Sequence, residues 1–118
     1  MQKGMTFPES KTLAIDFDQT LMAQNGNKMG EPLPGVIQAM EELYDRGYGI
    51  IIFTVRAKTE QGIEVVEGWL DHYGIDYHQV TAVKPNAAIF IDDRAIRHLN
   101  WDDTMNQVNV IMGFVEED

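Results

Sequence analysis

The run Leu13-Ala14-Ile15-Asp16-Phe17-Asp18-Gln19-Thr20-Leu21 passes abruptly from aliphatic residues to two carboxylates and a hydroxyl. Its apolar half is short and shows no polar alternation, which reads as a strand buried on both faces in a parallel sheet. The acids then stand at the carboxyl end of that strand. Ligands of open α/β sheets bind at this edge, so a D-x-D-x-T placed there reads as the floor of a site.

Three further apolar runs repeat the punctuation. Residues 48–53, with consecutive isoleucines from Ile50, end at Thr54; residues 75–83 lead to Lys84-Pro85; residues 87–91 end in Asp92-Asp93. The segment after the first run is rich in Asn and Gly, and Asn25-Gly26 is a hairpin signal, so residues 21–33 read as a small flap. Pro34 is placed to start a helix in which Val36, Ile37, Met40, Leu43 and Tyr44 recur at helical spacing, with Gly47 as its stop. Thr59 is placed to cap a second helix carrying Ile63, Val66, Trp69, Leu70 and Tyr73, ended by Gly74. A third begins at Trp101, where Met105, Val108, Met112 and Val115 keep helix period, and residues 116–118 are expected to fray. Trp69 and Trp101 are both expected in the core or in helix–sheet contacts. His72, His78 and His98 have no ligand spacing and read as structural or surface residues.

The order β, flap, α, β, α, β, β, α predicts an α/β fold: a three-layer α/β/α sandwich on a Rossmann-like parallel sheet, its four runs in the order 4-1-2-3. A chain of 118 residues, 44% hydrophobic, suits one domain over 1–118 with one core. The absence of cysteine excludes a disulfide framework, a thiolate zinc site and a cysteine nucleophile, and agrees with a cytoplasmic protein. No run approaches the ~18 apolar residues of a membrane span, and residues 1–10 lack the apolar stretch of a leader peptide. A formal net charge of −10 argues against a surface for nucleic-acid phosphates. Five of the nine Lys and Arg (Arg56, Lys58, Lys84, Arg94 and Arg97) nonetheless fall in or just after the loops beside the acids, which suits a small anionic ligand.

Taken together, Asp16-x-Asp18-x-Thr20, the strand-closing Thr54, Lys84 and the strand-closing Asp92-Asp93 resemble the four ordered motifs of the haloacid dehalogenase-like hydrolase superfamily. The resemblance covers nearly the whole chain. It implies a phosphatase, with Asp16 as nucleophile and Asp18 as general acid and base, Thr54 and Lys84 completing the catalytic set. It also implies Mg²⁺ held by Asp16, the backbone carbonyl of Asp18, Asp92 and, directly or through water, Asp93. Thr20 and Arg56 are the expected substrate-binding residues. The run Ile91-Asp92-Asp93-Arg94-Ala95 is similar to that of short bacterial and phage members without a cap.

Elementary electrostatics leads the same way. Three carboxylates crowded together repel by roughly 4 kcal/mol per pair at ~4 Å and an effective dielectric of ~20, so they call for a cation. A hard divalent ion with oxygen ligands suits them, Mg²⁺ best. A phosphate monoester is itself anionic, and a carboxylate attacking it needs positive charge nearby.

Two features depart from the family pattern. Gln19 stands where glycine is usual, and the segment after it is too short for a cap domain. An open site implies a large phosphorylated substrate, such as a macromolecule, or closure by a neighbouring subunit of a homo-oligomer. Other readings remain: a catalytically weak metal- or phosphate-binding regulatory module, and a phosphotransferase. A calcium loop fails, because its sixth position would be Leu21 and its twelfth Asn27.

Overall fold

The computed structural model describes residues 6–115. The fraying expected for residues 116–118 and the first half of the N-terminal segment lie outside them. Strand β1 (Thr12–Ile15) has all four residues buried, as its uninterrupted apolarity requires. It pairs in parallel with β4 (Gly49–Phe53) on one side and with β6 (Ile89–Ile91) on the other. Strand β5 (Gln79–Thr81) extends the sheet beyond β4. All four strands are parallel, and the order β5-β4-β1-β6 differs in label from 4-1-2-3 because the flap takes two strand numbers of its own. That flap is an antiparallel hairpin of β2 (Met22–Asn25) and β3 (Lys28–Pro32). Its turn is Gly26-Asn27 with Gly26 at φ 63°, one residue later than the Asn25-Gly26 expected, because Asn25 pairs with Lys28.

Helix α1 (Val36–Asp45) starts two residues after Pro34, behind a left-handed Gly35. Gly47, at φ 87°, ends it as the sequence suggests. Helix α2 (Glu60–His72) is capped by Thr59, whose hydroxyl accepts the Gly62 N–H at 3.0 Å. The core gathers on one face of the sheet, where Leu13, Ile15, Ile50, Ile52 and Val80 meet Met40 of α1 and Val66, Trp69 and Leu70 of α2. Buried His78 accepts the Ile50 N–H on Nδ1 at 2.9 Å and stacks on Tyr44 at 5.0 Å, a structural role that closes the lower end of this core.

The third helix, α3 (Trp101–Met112), behaves differently. Thr104 is its one buried residue, and Trp101, expected in a helix–sheet contact, is 70% exposed. Strand β6 is likewise exposed along its length, although its composition resembles that of the buried strands. The described residues accordingly extend over 57 × 35 × 28 Å. Among them no helix is long and apolar enough to cross a membrane.

Candidate functional site

Parallel pairing brings the carboxyl ends of β1, β4 and β6 to one edge, and the ladder continues one step further there. The Asp16 N–H donates to the Ile91 carbonyl at 2.9 Å, so Asp16 is fixed beside the residue that precedes Asp92. Oxygens from Asp16, Asp92 and Asp93 all lie within 4.8 Å of one another. Asp16 is half-buried, while Asp92 and Asp93 stand on the exposed rim. The Asp92 carboxylate accepts the Arg94 N–H at 2.7 Å, which holds it in a tight turn. Burial first, then repulsion from Asp92, pushes the Asp16 carboxyl up to about 6; the Thr20 hydroxyl and the Phe17 N–H oppose that rise. Asp16, Asp92 and Asp93 thus offer three oxygen donors that could hold a metal ion.

Between the first two acids, Phe17 is fully buried and packs edge to face on Trp69 at 5.1 Å. Its carbonyl accepts the N–H groups of Leu21 and Met22 at 3.0 and 3.1 Å, which turns the chain sharply after Asp18. Gln19 accommodates the turn at φ 62°, the left-handed region where glycine is at ease. The glycine-like geometry therefore survives without the glycine. The Gln19 side chain faces the flap, with Oε1 accepting the Gln24 N–H at 3.1 Å.

Asp18 is half-buried and gripped by Arg56. The guanidinium donates from Nη2 at 2.7 Å and from Nε at 3.0 Å, so both carboxylate oxygens are occupied. Arg56 stands in a 3-10 turn, Val55–Lys58, that directly follows β4. Buried Thr54 caps this turn, its hydroxyl oxygen accepting the Arg56 N–H at 3.2 Å. The turn then runs into α2 so closely that a Cβ on Gly62 would lie 1.7 Å from the Arg56 carbonyl oxygen. Hydrogen bonding to Asp18 raises the Arg56 pKa further above its ordinary value, with burial opposing.

The structure thus joins Asp16 with Asp92 and Asp93, and Asp18 with Arg56, whose turn Thr54 caps. Thr20, read as a substrate contact, donates its hydroxyl to Asp16 Oδ2 at 3.2 Å. Lys84 enters neither of these sets of contacts. It is exposed, its Nζ lies 5.3 Å above the Phe90 ring, and among the described residues it pairs with no carboxylate. Arg94 reaches Asp93 only at 3.9 Å and leaves its side chain 87% exposed. What the sequence did not reveal is the Asp18–Arg56 fork, because two side chains 38 residues apart meet only once the 3-10 turn is formed. The spacing Thr54-x-Arg56 on a strand end was the signal available.

With this geometry in view, comparison gives a fold and no function. A conserved protein encoded in Bacteroides thetaiotaomicron has a similar structure. The likeness covers 90% of this chain and 93% of that one, with a TM-score of 0.63 and 19% sequence identity, and at that identity it speaks for the fold alone. No family model and no curated protein matches the chain.

Proposed function

We propose that the protein is a Mg²⁺-dependent phosphatase of the haloacid dehalogenase-like type, without a cap, that hydrolyses a phosphate monoester through an aspartyl-phosphate on Asp16. The observation that carries this reading is the meeting of Asp16, Asp92 and Asp93 within 4.8 Å at the carboxyl edge of a parallel sheet. The three-layer α/β/α sandwich belongs to the same proposal, with α3 as the layer opposite α1 and α2. So do the single domain over 1–118 and a cytoplasmic location.

Asp16, Asp92 and Asp93 would hold the cation, with the Asp18 carbonyl as a further ligand. Bound there, Mg²⁺ supplies positive charge against the phosphoryl oxygens and favours the ionised form of Asp16. Asp16 attacks phosphorus, the bond to the leaving oxygen breaks, and Asp18 delivers a proton to that oxygen. In the second half, Asp18 takes a proton from water, which attacks the acyl phosphate and frees Asp16. To move either proton, Asp18 must release at least one of the Arg56 N–H groups that now occupy it. An incoming phosphate dianion competes for the same planar fork, so substrate arrival and release of Asp18 are coupled. The Thr54 hydroxyl proton remains able to donate to a phosphoryl oxygen while its oxygen caps the turn. Lys84, exposed beside Phe90, is the further positive charge proposed for the substrate. A large phosphorylated substrate fits the uncovered rim.

The test is phosphate release from an aryl phosphate with Mg²⁺, expected in the natural chain and abolished in Asp16→Asn. A second reading is a metal- or phosphate-binding module with little turnover, favoured by the Arg56 fork that occupies both oxygens of Asp18. Binding of beryllium fluoride with Mg²⁺ but no phosphate release would select it. Product in excess of free phosphate, when an alcohol is supplied, would instead mark a phosphotransferase.

A further inference from the structure

Two surfaces of this chain carry exposed apolar side chains, and they complement each other. The first is the second face of the sheet. Register puts Thr12 beside Gly49 and Ile51 beside Gln79 on that face, and all four line a cavity of about 460 Å³ flanked by Phe7 and Pro85. Further up the same face, half-buried Phe53 meets Phe90, 42% exposed, at 6.4 Å between ring centroids. The second surface is α3, where Trp101, Met105, Val108 and Met112 form one stripe. Met105 and Met112 are 48% and 75% exposed. Eleven of the fifteen exposed large apolar side chains among the described residues fall between Ile89 and Val115. A concentration of this kind marks an interface.

The joint between the two surfaces is built rather than slack. The Asp92 carboxylate takes the Arg94 N–H, His98 Nδ1 is 2.6 Å from the Thr104 hydroxyl, and the His98 ring meets Trp101 at 4.8 Å. The Asn100 side chain caps α3 by accepting the Asp103 N–H at 2.9 Å. These contacts order the connection from β6 into the first turn of α3.

We infer that two copies of the chain exchange α3 reciprocally, each helix seating its apolar stripe on the second sheet face of the other, where Phe90 is exposed. The exchange rests on the three-layer reading above and specifies whose helix supplies the third layer. A two-fold makes one seat into two, each helix being roughly 18 Å long and ~10 Å across. Together the seats bury of the order of 1,000 Å² or more, in the range of specific interfaces. The exchange also braces β6, the edge strand that ends in Asp92 and Asp93.

The chain contains no cysteine, so introduced thiols report without background. Light scattering on the full chain at micromolar concentration is expected to give twice the 13.4 kDa of one chain, and one chain's mass after Met105→Glu with Met112→Glu. Circular dichroism melting serves as the folding control. A chain with Met105→Cys mixed with one carrying Asn86→Cys is expected to form a disulfide between chains. A single chain with both substitutions that closes an internal disulfide as a monomer would overturn the exchange and leave the three layers intact. A dimer that survives the two glutamates would overturn it as well. Absence of phosphate release in a dimer with the interchain disulfide would sink the phosphatase reading and not the exchange.

Discussion

Replacing Asp16 by Asn should make the metal-free protein more stable, although it removes the residue on which the proposed chemistry turns. Burial and the neighbouring Asp92 hold the Asp16 proton to about pH 6, against an ordinary carboxylate value of 3.8. Between those values the unfolded chain has released the proton while the folded chain still keeps it. Stability therefore falls as pH rises through this window and stays lower above it. The full difference corresponds to at most about 3 kcal/mol at 1.36 kcal/mol per pH unit. Asp16 is only half-buried and faces an exposed rim, so solvent screening reduces this to about 1–2 kcal/mol. Asparagine keeps the shape without the charge. Urea melts in EDTA at pH 8 should show Asp16→Asn ahead by that amount, with the gap closing near pH 4. His78 titrates with the opposite sense, since burial lowers its pKa and stability falls as pH drops below 6.5, but it is common to both chains and cancels. Millimolar Mg²⁺ should stabilise the natural chain and leave the variant unchanged. Equal midpoints at pH 8 in EDTA, or a gap that persists at pH 4, would refute the crowding of these acids.

Three other substitutions probe the remaining contacts. Arg56→Lys loses the planar fork on Asp18; steady-state hydrolysis should fall about tenfold or more, while the urea midpoint moves by less than ~1 kcal/mol because the pair is about one-third exposed. Gly62→Ala forces a Cβ against the Arg56 carbonyl and should destabilise by about 2–3 kcal/mol in chemical denaturation, with Arg56 displaced and hydrolysis reduced. Gln19→Gly should be nearly neutral, because relief of the left-handed backbone offsets the lost Gln24 bond and the freer unfolded chain, whereas Gln19→Ala keeps the strain and should lose about 1 kcal/mol in thermal melts.

Much of the fold was legible because its signals are local. Thr59 caps α2, Gly47 and Gly74 stop α1 and α2, and Ile50 and Ile52 enter the core as an unbroken aliphatic strand should. The acidic cluster followed from the habit of parallel strands to end at one edge. What was not legible depends on who packs against whom. Trp101 has the spacing of a core residue, yet periodicity names only the apolar stripe of a helix and not its partner, and in the single chain Trp101 stays exposed. Lys84 stands eight residues before Asp92, but the path from β5 to β6 leaves it over Phe90. Arg56 was expected at the substrate, and the 3-10 turn after β4 places it on Asp18.

The two tryptophans have ended in opposite surroundings, which gives the molecule its own pair of optical reporters. Trp69 lies 8% exposed against Phe17 and donates its indole N–H to the Gly30 carbonyl at 2.9 Å, tying the flap to the residue between the first two acids. Its emission should be blue-shifted and should respond when the flap lifts, whereas Trp101, 70% exposed in a single chain, should emit to the red there and shift to the blue once its stripe is seated on a partner. Fluorescence from one cuvette can thus follow the mouth of the site and the far helix separately.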